Sequence, residues 1–195
     1  MRATGASGTS RLTGVDFTRN SPQVARRLIG MTLLVDGVGG IIVETEAYDA
    51  ADPASHSFSG PTPRNSVMFG PPGHAYIYLS HGIHWCLNFV CREVGHGAGV
   101  LIRALQPTSG ISLMSARRRQ EDPRILCKGP GRLGQALAIT HDLNGKRLDR
   151  PPFSLRAASK RARVVCGPRI GISKAVDQPW RFGLADSGYV SRPFR

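Results

Sequence analysis

From residue 28 to residue 63 the chain carries no lysine or arginine, yet it holds five carboxylates: Asp36, Glu44, Glu46, Asp49 and Asp52. Elsewhere it is strongly basic, with 26 Lys+Arg against 13 Asp+Glu and a formal charge of +13 over 195 residues. Glu44 and Glu46 lie in the otherwise apolar run 41–48, whose pattern predicts a strand. If that strand is regular, Glu44, Glu46 and Tyr48 share one face. A carboxylate in such a run is costly unless it has a partner, a solvated face or a task. Two readings stand: salt bridges on a solvated face, the commoner fate of a strand glutamate, or a carboxylate kept for a reaction.

The run belongs to a predicted hairpin. Strands over 31–35 and 41–48 are joined by Asp36-Gly37-Val38-Gly39-Gly40, which has turn chemistry. Before it, Ser21-Pro22 and Gly30 bracket a helix over 22–29, with Ser21 as its cap. Residues 49–73, rich in Asp, Ser, Pro and Gly, are too long for a plain connection, and His56 with Thr62-Pro63-Arg64-Asn65 marks them as a functional loop. Strands over 74–80 and 83–90 follow, broken at His81-Gly82, then a strand over 100–105 in which Arg103 is the single charge. Helices are predicted over 109–120, ending in Arg117-Arg118-Arg119, and over 132–139. The whole predicts one α+β domain over residues 16–195, a curved, mainly antiparallel sheet with a few packed helices, preceded by a disordered tail over 1–15.

The charge points to a polyanion, and nucleic acid leads. Four of the 26 cations are lysines and the other 22 arginines, which suits bidentate contact with phosphates. Residues 112–163 alone hold 13 Lys/Arg and four Asp/Glu. There is no long apolar span, no basic amphipathic helix with an aromatic face and no signal-peptide core, so neither membrane binding nor export is expected. Four cysteines form no disulfide framework, which fits a reducing compartment and a cytoplasmic, nucleoid-associated monomer.

Residues 41–48, Ile-Ile-Val-Glu-Thr-Glu-Ala-Tyr, resemble the signature of the alkyladenine (3-methyladenine) DNA glycosylase family. The resemblance continues in order through Thr62-Pro63-Arg64-Asn65, Tyr-Ile-Tyr-Leu at 76–79, Asn88, Leu101-Ile102-Arg103-Ala104, Gly129-Pro130, Gln-Ala-Leu-Ala-Ile at 135–139 and Arg169-Ile170-Gly171-Ile172, so it covers about residues 16–190. It implies a repair enzyme that flips alkylated or deaminated purines from duplex DNA and cleaves their N-glycosidic bond. By this resemblance Glu46 is the water-activating base, Arg103 helps to hold the water, and a backbone carbonyl near Ile170 is its third contact. Glu44 is structural. Tyr48 on one side and Tyr78 with His56 on the other stack on the flipped base, and Asn88 excludes guanine. His81 takes the place of a tyrosine wedge found in eukaryotic members, and the loop between Tyr48 and His56 is one residue shorter. Arg64, Arg117, Arg118 and Arg119 are expected to contact the DNA backbone, as positioning contacts without base reading.

The chemistry agrees with these roles. Cleavage passes through an oxocarbenium-like sugar, so one carboxylate both stabilises positive charge and takes a proton from water. All four lysines follow residue 127 and none is in the signature, so no Schiff-base lyase step is expected. His81, His84, Cys86, Cys91 and His96 crowd one stretch but lack metal-ligand spacing, and neither metal nor cofactor is expected. Trp85 and Phe89 read as core. The competing reading is a non-catalytic basic nucleic-acid-binding protein, RNA- or ribosome-associated, which leaves Glu46, Tyr48, His56, Asn88 and Arg103 unexplained.

Overall fold

The computed structural model describes residues 14–194. Of the tail expected over 1–15, residues 1–13 lie outside the described residues, and Val15 is already part of the core. Packing therefore begins one residue before the expected boundary.

Eight antiparallel strands form one sheet that curls into a half-barrel: β1 (Thr32–Val35), β2 (Val38–Tyr48), β3 (Ala75–Ser80), β4 (His84–Cys91), β5 (Ala98–Ser109), β6 (Phe153–Arg156), β7 (Val164–Gly167) and β8 (Arg181–Leu184). The spatial order is β3-β4-β5-β2-β1-β6, with β8 pairing β2 and β7 pairing β8. Four helices accompany it among the described residues: α1 (Ser21–Leu28), α2 (Ile111–Arg118), α3 (Pro123–Leu126) and α4 (Pro130–Ala136). The expected α+β class and curved antiparallel sheet are what the chain adopts.

Local details differ from expectation for physical reasons. The cap of α1 is Asn20, whose side chain accepts from the Gln23 amide, not Ser21. The first hairpin turns at Asp36-Gly37, with φ of 49° and 78°, so Val38, Gly39 and Gly40 are strand rather than loop. A Cβ on Gly40 would lie 1.9 Å from the Gln106 carbonyl oxygen, so these glycines serve close strand approach, not a turn. Strand β5 is twelve residues long, twice the expected run.

Strand β2 is bonded along both edges. Its first part pairs with β1 over Val38–Ile41, and β8 takes the same edge at Glu44, Thr45 and Glu46; β5 runs along the other. The β2–β5 register slips at Val43 and again at Arg103: Ile42 faces Leu105, Glu44 faces Ala104, and Thr45 faces Ile102. The two slips compensate, and the pairing is regular from Thr45 to Tyr48. Glu44, Glu46 and Tyr48 thus share one face as expected. Arg103 is left without a β2 partner, its guanidinium free to turn toward them.

The two faces have different fates. Thr45, Ala47, Ile77, Leu87, Phe89, Val100 and Ile102 point to the side where α1 packs, and the Thr45 hydroxyl donates to the Ala25 carbonyl of α1 at 3.0 Å. Glu44, Glu46, Tyr76, Tyr78, Asn88 and Leu101 point to the other. There residues 49–73, with a 3-10 turn at Ser66–Phe69, form a cover. Asn65 organises the cover: its side-chain amide donates to the carbonyls of His56 (2.8 Å) and Gly60 (3.1 Å) and accepts from the Thr62 amide.

Candidate active site

Glu44 and Glu46 are both fully buried, so the solvated-face reading fails. Arg103 bridges them, Nε donating to Glu44 Oε1 at 2.9 Å and Nη1 to Glu46 Oε2 at 3.1 Å. Glu44 Oε1 also accepts from Arg181 Nε and the Ser191 hydroxyl, each at 2.8 Å, while its Oε2 accepts from the Ser191 amide. Burial alone would raise the Glu44 carboxyl, but Arg103, the Ser191 amide and Arg181 outweigh it and hold it below the ordinary carboxylate range. Arg103 mirrors this: burial opposes its charge, and Glu46 and Glu44 overcome that and raise it.

Glu46 is bonded differently. Its Oε2 accepts from Arg103 and from the Tyr48 hydroxyl at 2.9 Å; among the described residues its Oε1 accepts only from the Ile170 amide at 2.7 Å. A carboxylate offers roughly four lone-pair directions. Glu46 has three donors and the open direction is on Oε1, whereas Glu44 has four, three on Oε1 and one on Oε2. The contact made by Ile170 is through its N–H.

Tyr48, Arg103 and Ile170, the three groups that donate to Glu46, line the floor of a cavity of about 470 Å³. Burial first, then the Glu46 charge and hydrogen bond, pushes the Tyr48 phenol well above its ordinary range, so it stays a donor. Arg169 lies behind the Tyr48 ring, 4.7 Å from its centroid, and forms a fully buried ion pair with Asp52 in the cover loop. It also donates to the Ala47 carbonyl at 2.9 Å. The opposite wall is Tyr78 and Tyr76, stacked at 5.7 Å, with His56 edge-on to Tyr78 at 4.5 Å. Enclosure, then the nearby Arg64, lowers the His56 imidazole below its ordinary value and favours the neutral ring. Asn88, buried on the wall, ties its amide to the Tyr76 carbonyl at 3.2 Å.

The cavity gathers Tyr48, His56, Tyr78, Asn88, Arg103 and Ile170, with Arg64 and His81 at its exposed edge. Arg64 also donates to the Leu79 carbonyl at 2.9 Å. Arg117, Arg118 and Arg119 do not line it. Arg117 donates to the Ala136 carbonyl and Arg118 to the Gln135 side chain, so two of the three brace α2 against α4. The sequence reading named Tyr76, Asp52 and Arg169 but gave them no place in the site. Tyr76 could have been found by its spacing of two from Tyr78; the Asp52–Arg169 pair spans 117 positions and leaves no local signal. Within the His/Cys stretch, His96 pairs with Asp49 at 3.0 Å, and among the described residues no group of three or more His, Cys, Asp or Glu comes together as a metal site.

Residues 15–188 match the family model for methylpurine-DNA glycosylase (MPG). The chain belongs to the methylpurine-DNA glycosylase family. Relatives named "Putative 3-methyladenine DNA glycosylase" include one from Nitrosospira multiformis, 66% identical across 93% of this chain and 94% of its own. Others come from Rhodopseudomonas palustris strain BisB18 (60% identical, 91% and 89% covered) and Rhizobium meliloti (59%, 91% and 95%). The protein is therefore a hydrolase of N-glycosyl bonds in DNA and works in base-excision repair, which sets aside the non-catalytic reading. Among its described residues no helix is long and apolar enough to cross a membrane.

Proposed function

We propose that this glycosylase turns an alkylated or deaminated purine, of the 3-methyladenine, hypoxanthine or ethenoadenine type, out of duplex DNA into the aromatic cavity. It hydrolyses the N-glycosidic bond with water activated by Glu46 and leaves the strand unbroken, acting as a cytoplasmic monomer at the nucleoid. The observation that carries the reading is the unequal bonding of the two buried glutamates: among the described residues Glu44 accepts four hydrogen bonds and Glu46 three, and Glu46 is the one bonded to all three of the cavity-lining Tyr48, Arg103 and Ile170.

As the bond between the purine nitrogen and C1′ breaks, its electron pair leaves with the base; a purine alkylated at N3 or N7 departs neutral, whereas hypoxanthine or ethenoadenine departs as an anion that takes up the proton released from the attacking water. The water oxygen bonds to C1′ and its proton passes to Glu46 Oε1, while the carboxylate stabilises the sugar's developing positive charge. Arg103, Tyr48 and the Ile170 amide hold the carboxylate in register. The base stacks between Tyr48 and the Tyr78–His56 wall, where a cationic purine gains from the electron-rich rings. Asn88, pinned to the Tyr76 backbone, presents a fixed amide against which a guanine amino group would clash. Flipping costs a few kcal/mol of unstacking, least for damaged pairs.

The test is Glu46→Gln, which keeps the shape and removes the charge and the proton acceptor. Single-turnover release from hypoxanthine or methylated-purine duplexes, read as alkali-labile sites, should fall by at least about a thousandfold while lesion binding persists. Excision at the wild-type rate would overturn the mechanism.

A further inference from the structure

Behind the sheet lies a second concave surface, a cleft of about 600 Å³ between the last turn of α1 and residues 158–164. Arg26 and Arg27 line it from the helix, Lys160 and Arg161 from the segment joining β6 to β7, with Gln23 and Ser159 as neutral donors. Among the described residues no carboxylate lines it and none of its four cations is in an ion pair. Arg27 gives its Nε to the Gly14 carbonyl at 3.4 Å. Residues 1–13, which precede Gly14, contain two arginines and no acidic residue, so they bring no countercharge.

The favourable place of cations in the last turn of a helix accounts for Arg26 and Arg27. It does not account for Lys160 and Arg161, which a distant part of the chain adds to the same cleft. Four like charges around one concavity repel unless an anion neutralises them. The cleft also lies on the wrong side for the DNA under repair. Residue Thr45 points to α1, and its neighbours Glu44 and Glu46 point to the cavity, so cleft and cavity occupy opposite faces. Duplex DNA is stiff over about 150 base pairs, so a short duplex seated at the cavity does not bend round to the cleft.

We propose that this cleft binds the phosphate backbone of a second duplex segment, so that one enzyme molecule touches two stretches of DNA and passes between them without going free. The inference rests on DNA being the substrate. Two strongly attracting faces on one protein make transfer depend on the concentration of acceptor DNA, whereas a single face makes dissociation independent of it.

The experiment uses the full chain on a labelled short duplex chased with unlabelled duplex. Wild-type dissociation should accelerate with chase concentration, and at low salt each protein should bind two short duplexes. In R26S/K160S/R161S the acceleration should vanish and the second duplex should bind on the order of tenfold or more weaker, because three phosphate contacts are lost. Single-turnover excision should stay within about twofold, since none of the three residues lines the cavity. The charge-preserving R26K/K160R/R161K should behave as wild type, which separates charge from folding. Dissociation that ignores chase concentration in the wild type, or the same acceleration in both variants, overturns the proposal while leaving excision intact. Loss of binding to phosphatidylglycerol vesicles without any change in duplex transfer, or displacement by inorganic phosphate alone, also overturns it by assigning the cleft to a membrane or a free ion.

Discussion

Glu44 and Glu46 are two residues apart, equally buried and joined by one arginine, yet they are bonded differently. Glu44 accepts from Arg103, Arg181 and both donors of Ser191, so it ties β2, β5, β8 and the C-terminal segment together. Replacing it by Gln leaves two buried guanidiniums short of a counter-ion, which costs about 3–5 kcal/mol. Its folded carboxyl lies below the ordinary value. Its stabilising share is therefore fully present above the ordinary carboxylate range and is lost as pH falls through the lowered folded value. Urea unfolding should show a large gap between wild type and Glu44→Gln at pH 7 that narrows in acid. An equal gap at both pH values would mean that the loss comes from packing rather than charge. Molecules that do fold should retain single-turnover excision within about tenfold, in contrast to Glu46→Gln.

At the scale of elements, the β3–β4 hairpin carries the sharpest expectation. Its tip, His81-Gly82, has φ of 50° and 72°, and the Ile83 amide closes the turn on the Ser80 carbonyl at 3.0 Å. A left-handed conformation costs a non-glycine residue about 1–2 kcal/mol. The imidazole at the cavity's edge is the feature a glycine there would lack. His81→Gly should raise stability by up to about 1 kcal/mol while weakening lesion affinity and slowing excision, and His81→Tyr should keep or improve both. Unchanged affinity and single-turnover rate in His81→Gly would move the wedge to the shortened loop before His56. This hairpin was legible because Tyr76, Tyr78 and Ser80 alternate and Gly82 breaks the run. The face shared by Glu44, Glu46 and Tyr48 was legible from a period of two. Strands β6, β7 and β8 were not, because each is four residues long and, unlike the equally short β1, has no hairpin turn beside it to mark it; their places are set by pairing with β1, β2 and each other. The slip that frees Arg103 was equally hidden, since it depends on two strands far apart in the chain. What the sequence carried was a lone charge in an apolar run.

Over the whole molecule, the charges are sorted by depth. The acidic stretch of residues 28–63 supplies Glu44, Glu46 and Asp52, all buried and each held by arginine, while most of the remaining cations stand exposed on the surface. Salt acts on these two populations differently. Exposed arginine–phosphate contacts release counterions, so affinity for undamaged duplex should fall with a log–log slope steeper than about −4 if five or more phosphates are neutralised. The Glu46–Arg103–Tyr48 group is buried at the cavity floor, and buried charges are screened far less. Once enzyme is in excess and every lesion is bound, the excision rate should change no more than about twofold over the same salt range. Measuring both on one lesion duplex separates binding from chemistry. A flat affinity would argue against backbone contacts as the source of binding. A saturated rate that falls in parallel with affinity would place the Glu46 carboxylate in contact with bulk solvent, contrary to its complete burial.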